Sequence, residues 1–122
     1  NNNTTLVTEN IKKEILQIIY FDFDESKLSD VSINEIKEFI YSNRKYIKKY
    51  IVVGHTDTKG SNKYNHKLSL ERANSVKKIL ESLGIDSQNI KILGKGETEL
   101  SIETKNEVPH PANRRAEISP LN

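Results

Sequence analysis

Residues 54 to 73, GHTDTKGSNKYNHKLSLERA, set an aspartate, an arginine and several amides around two glycines, just after the apolar run Tyr50-Ile51-Val52-Val53. Asp57 supplies an acceptor suited to an ammonium group, and Arg72 a planar fork of donors suited to a carboxylate. An α-amino acid head group carries both charges a few ångströms apart. A pocket offering both complements therefore discriminates against a plain cation and a plain anion alike. The alternative chemistry is internal: Asp57 and Arg72 pair with each other and tie loop to helix, a weak and common arrangement at surfaces. Residue type alone leaves both open.

The elements that must position these groups follow from periodicity. Tyr50 to Val53 is β-branched and closed by Gly54, so it reads as a short buried strand, with a loop over Thr56 to Gly60. From about Asn62 to Leu83 there is no Gly or Pro; Leu68, Ala73, Val76, Leu80 and Leu83 hold helical spacing, and Gly84 is a natural stop. Asn65 and Arg72 lie seven residues, or two turns, apart on that helix, so they share a stripe with Leu68 and Ser69 between them. Asp57, in the loop leaving a strand at its carboxyl end, occupies the place where α/β folds put ligand sites.

Upstream, Ile18 to Phe23 reads as a first strand, preceded by a short helical turn suggested by Ile11, Ile15 and Ile18. Ser32 followed by Glu35 has capping-box spacing, and Ile33, Ile36, Ile40, Asn43 and Ile47 continue it as an amphipathic helix. The lysines of that helix, Lys37, Lys45, Lys48 and Lys49, read as a solvated face. Ile90 to Leu93 is a third strand, Gly94 to Asn113 an irregular loop with Pro109 and Pro111, and Arg114 to Ser119 alternates as a fourth strand. The predicted fold class is an α/β (α+β) sandwich: a small mixed four-stranded sheet in βαβαβ-β order with two main helices on one face. Residues 1–17 are expected to form a polar lead-in and residues 18–122 a single domain.

Composition narrows the function. The chain has 122 residues, 34% apolar and 30% charged, with a net charge of only +2; this is globular composition without the basic excess of a nucleic-acid binder. There is no cysteine, and no apolar run approaches the length of a membrane span. The start, Asn1-Asn2-Asn3, lacks both methionine and a signal-peptide pattern, so any export signal or anchor is expected upstream. His55, Asp57 and His66, with Ser61 or Ser69, specify neither a metal site nor a triad: there is no His-x-x-x-His spacing on the helix and no Gly-x-Ser-x-Gly elbow. Gly94-x-Gly96 is not a dinucleotide fingerprint, because Glu99 stands where its third glycine belongs. No catalysis, cofactor or metal is expected.

Three motifs appear in register: Gly54-His55-Thr56-Asp57-x-x-Gly60, Asn65-x-x-Leu68-Ser69-x-x-Arg72-Ala73, and Asn113-Arg114-Arg115-Ala116-Glu117-Ile118. With Tyr20-Phe21-Asp22-Phe23-Asp24 and Gly94-Lys95-Gly96-Glu97, they resemble the OmpA-like C-terminal domain over Ile18 to Ile118. That family includes the C-terminal domain of OmpA, the peptidoglycan-associated lipoprotein and the stator protein MotB. The resemblance implies non-covalent binding of peptidoglycan through the free head group of the stem peptide's diaminopimelate, held by Asp57 and Arg72. It also implies Asn65 as a hydrogen-bonding partner, Asp22 as a lining residue contributing main chain, and Thr56 and Leu68 as wall. Of the pair Arg114 and Arg115, which alternate across the last strand, Arg115 is the candidate ligand contact, with a structural tether to nearby acids as its alternative. The implied location is the periplasmic face of the outer membrane, with possible envelope protein partners at the charged loop Glu99 to Pro111. A stator or scaffold domain, and less so a wall hydrolase, are the competing readings.

Overall fold

The computed structural model describes residues 17–121. The helical turn expected at Ile11 and Ile15 lies outside them. Strands β1 (Gln17–Tyr20), β2 (Tyr50–His55), β3 (Ile90–Gly94) and β4 (Arg115–Pro120) form one mixed sheet in the order β1-β4-β2-β3. β2 and β3 run parallel, and β4 lies antiparallel to both β1 and β2. Helices α1 (Asp30–Asn43) and α2 (Asn62–Ser82) connect β1 to β2 and β2 to β3.

Strand alternation divides the sheet into two faces. Ile19, Tyr50, Val52, Ile90, Ala116 and Ile118 point to the helices and pack with Ile36, Phe39 and Ile40 of α1 and Ala73, Val76 and Leu80 of α2 in one core. Tyr50 is fully buried, so its hydroxyl needs a partner; it donates to the Ile47 carbonyl at 3.1 Å, while its ring meets Phe39 edge-on at 6.0 Å.

Two glycines set how closely α2 lies on the sheet. Gly54 and Gly94 are register partners on β2 and β3. A Cβ on Gly54 would stand 1.8 Å from the Ser69 carbonyl oxygen, and one on Gly94 2.7 Å from the Leu70 amide nitrogen. Both obstacles are main chain of α2, which cannot swing aside. The bare glycines let the helix settle where the Ser69 hydroxyl accepts from the Gly96 amide at 2.8 Å.

Helix ends show where the sequence reading needs correction. α1 is capped by Ser29, whose side chain accepts from the Ser32 amide at 3.1 Å; Ser32, expected as the cap, sits one turn inside and accepts nothing from the Glu35 amide. Its hydroxyl instead takes a hydrogen bond from the Ser29 hydroxyl, so the Ser-x-x-Ser pair does the capping. α1 also ends at Asn43, where the Asn43 amide turns back to the Phe39 carbonyl, rather than reaching Ile47. α2 begins after Ser61 and stops at a glycine as expected: the Gly84 amide reaches Glu81 and the Ile85 amide reaches Leu80. β1 stops at Tyr20 instead of continuing to Phe23, and β2 runs two residues past Val53.

Candidate functional site

The carboxyl ends of β1 and β2, the loop Thr56 to Gly60 and the first three turns of α2 surround a cleft of about 490 Å³. Its lining includes Asp57, Asn65, Leu68 and Arg72, together with Phe23, Asp24, Lys59, Ser61, Tyr64 and Glu107. Asp57 and Arg72 face the same space but do not hydrogen-bond to one another; each is held by other groups.

Arg72 is 1% exposed. Its Nε donates to the Glu25 carbonyl at 2.8 Å, Nη1 to the His55 carbonyl at 3.0 Å and Nη2 to the Asp22 carbonyl at 3.2 Å. The guanidinium also lies over the Phe21 ring, 5.3 Å from its centre. Main-chain dipoles thus orient the fork without cancelling its charge. Burial lowers its pKa to about 10, and Asp57 opposes that shift, so it stays a cation at neutral pH. A guanidinium has five N–H donors; three are engaged by these carbonyls, and two remain.

Asp57 is 3% exposed. One oxygen accepts from the Lys59 amide at 3.2 Å; the other accepts from the His110 amide at 3.1 Å and from Arg114 Nη1 at 3.4 Å. A carboxylate offers about four acceptor positions, so the aspartate is fixed and still has capacity to spare. The Thr56 hydroxyl donates to the Asp57 carbonyl at 2.8 Å and its amide donates to the Gly96 carbonyl, which pins the peptide carrying Asp57.

Asn65 braces the loop from the helix. Its amide nitrogen lies 3.0 Å from the Lys59 carbonyl, 3.0 Å from Glu97 Oε1 and 3.3 Å from the Asp57 carbonyl. Across the mouth of the cleft, the Tyr64 hydroxyl donates to Asp24 Oδ1, which raises the phenol pKa. Asp24 holds a left-handed backbone, φ 58°, at the turn that follows β1.

The structure thus brings together Asp57, Asn65, Leu68 and Arg72 of the expected site residues. Thr56 is buried behind the wall and supports it through Asp57. Asp22 contributes its carbonyl to Arg72 but is not among the cleft's lining residues; it borders two neighbouring depressions, one with Tyr20, Phe21 and Arg114 and one with Glu25, Lys27 and Leu28. Arg115 lies elsewhere: it points to the sheet face away from the helices, its Nε 2.8 Å from Glu117 Oε2 and its Nη2 donating to the Glu99 carbonyl. The neighbouring Arg114 is the one that reaches Asp57. Tyr64 could have been found from its spacing of four and eight residues to Leu68 and Arg72; Glu107, in a loop without periodicity, could not.

The fold and cleft define a two-layer α/β domain with a charged cleft at the carboxyl ends of β1 and β2. The chain belongs to the OmpA family, whose pattern it matches over residues 20–114. It is 34% identical over 105 residues to a peptidoglycan-associated lipoprotein of Buchnera aphidicola, covering 82% of this chain and 58% of that protein. It is likewise 34% identical over 102 residues to outer membrane porin F of Pseudomonas fluorescens, covering 83% of this chain and 31% of the porin. The chain therefore spans between about a third and three-fifths of these relatives. Among solved structures, the OmpA-like domain of FopA1 from Francisella tularensis superposes with a TM-score of 0.72 at 26% identity, covering 86% of this chain and 72% of that one. The C-terminal domain of Helicobacter pylori MotB gives 0.73 at 21% identity, covering 84% and 81%, a likeness of fold.

Proposed function

We propose that the cleft binds the free amino acid end of a peptidoglycan stem peptide, of the diaminopimelate type, and so anchors an envelope component to the cell wall without catalysis. Asp57 accepts from the ligand's ammonium, and the two unengaged N–H groups of Arg72 donate to its carboxylate. Leu68 supplies apolar wall, and Asn65 holds the loop carrying Asp57 at its distance from α2. The observation that carries this reading is that opposite charges line one cleft, each fixed by other protein groups and each with hydrogen-bonding capacity left.

The names of relatives support it: proteins described as a peptidoglycan-associated lipoprotein and an outer membrane porin are each 34% identical to this chain, over 105 and 102 residues. They also favour a place at the periplasmic side of the outer membrane. Binding without turnover fits the lining, which holds no histidine; its one serine at the helix start, Ser61, is engaged in accepting from the Tyr64 amide. A single head-group contact is weak, and many copies on one polymeric wall make attachment strong by avidity.

Sedimentation with purified sacculi tests the proposal. Asp57→Ala and Arg72→Lys are expected to stay in the supernatant while wild type pellets; pelleting of both variants like wild type overturns it. Arg72→Lys keeps the charge but cannot hold three carbonyls and a ligand together, and thermal melts of both variants show whether lost binding reflects lost folding.

A further inference from the structure

The strands give the domain two poles. β2 starts at Tyr50, pairs there with Pro120 at the end of β4, and delivers Asp57 to the cleft about 20 Å away. Around Tyr50, the end of α1 and the turn that follows carry Arg44, Lys45, Lys48 and Lys49, all exposed. Among the described residues, no salt bridge engages any of the four; the Lys48 ammonium donates only to the Arg44 carbonyl, at 2.7 Å. Two tyrosines project beside them, Tyr41 at 63% and Tyr46 at 83% exposure, and the Arg44 guanidinium lies 5.3 Å above the Tyr41 ring.

We propose that this pole docks on an anionic phospholipid surface, independently of what the cleft holds. Cations that no acid among the described residues engages, interleaved with protruding phenols, match a headgroup layer, where phosphates meet the cations and amphipathic rings settle at the boundary of water and acyl chain. The cations cluster on a protruding turn rather than along both walls of a groove. The groove beside them, floored by Ile40, Ile47 and Leu83, has Asp86 on its far wall, and Glu81 lies exposed one turn back on α2. A polynucleotide laid there would meet those acids, whereas a flat bilayer touches the turn first. Because the cleft opens at the other pole, both surfaces are usable at once.

The test is co-sedimentation of the 122-residue chain with vesicles of phosphatidylcholine alone or with about one-third phosphatidylglycerol, at about 50 mM and about 300 mM salt. Binding is expected only to the anionic vesicles and to weaken with salt. Replacing Arg44, Lys45, Lys48 and Lys49 by alanine is expected to reduce partition about a thousandfold. An equal charge change elsewhere, Lys27, Lys63, Lys67 and Lys105 to alanine, is expected to leave most of it, and Tyr46→Ser to reduce it several-fold. Asp57→Ala is expected to bind vesicles like wild type, which separates this surface from the cleft. Absence of binding at low salt, or equal losses from the two quadruple variants, overturns the proposal, as does tighter binding to a single-stranded oligonucleotide than to the vesicles.

Discussion

Two buried arginines, Arg72 in the cleft and Arg115 on the sheet face away from the helices, show opposite uses of the same side chain. Arg115 meets a carboxylate: its Nε lies 2.8 Å from Glu117, which is also 3.3 Å from His55 Nε2. That cluster is neutralised within the protein and fastens the loop after β3 through the Glu99 carbonyl. Arg72 meets only carbonyl dipoles and an aromatic face, so it is oriented and desolvated without being cancelled. Arg115 thus builds structure through its ion pair, whereas Arg72, balanced by dipoles, is left for a ligand; Asp57 stands between the two, paired with Arg114 at 3.4 Å and with an acceptor position to spare. The two sites are linked through His55, whose ring joins Glu117 and whose carbonyl accepts from Arg72.

The largest effect on this contrast is expected from Gly54→Ala, because the added methyl meets the α2 main chain and pushes apart the strand and helix that hold both sites. A loss of about 3 kcal/mol or more is expected, lowering the melting temperature by about 10 °C or more and weakening sacculus binding too. Next is Glu117→Ala, which strands Arg115 beside an unpaired histidine: about 2 to 3 kcal/mol of stability is expected to go, measured by urea denaturation. Sacculus binding by the folded fraction is expected to persist. Equal loss of binding would show that the cluster serves the cleft directly.

Acid gives a smaller and graded version. Hydrogen bonding from His55, then from Arg115, holds the Glu117 carboxyl down to about 2 against burial's opposite pull. Since the folded carboxyl binds its proton less tightly than the unfolded one, whose value is 4.5, the stabilisation is complete above that pH. It fades as pH falls from there towards 2, and about 2 kcal/mol is expected to be lost. Glu117→Gln should flatten that part of the stability profile.

The sequence was most informative where periodicity or a fixed backbone need left a mark. The stripe Asn65, Leu68, Arg72 and the stop at Gly84 are written in helical spacing and in a left-handed turn, and both are where they were expected. The cap of α1 was misplaced by one turn because Ser29 and Ser32 are chemically alike, and the packing of Ile36 and Ile40 selects between them. Arg115 opens β4 and Arg114 just precedes it; alternation does not say which of them faces the site, and the register of β4 with β1 and β2 decides it, with Arg114 at Asp57 and Arg115 at Glu117. Phe23, Asp24 and Glu107 reach the cleft from turns, where no period exists to read.

The central claim is that the cleft demands both charges of a head group at once. Calorimetric titration of wild type with diaminopimelate, its N,N′-diacetylated form and its diamide, in which both ends are blocked, tests this most directly. The account predicts binding of the free amino acid and loss of at least about tenfold for each blocked form, at no less than about 1.4 kcal/mol per charge. Equal affinity for either blocked form would contradict it.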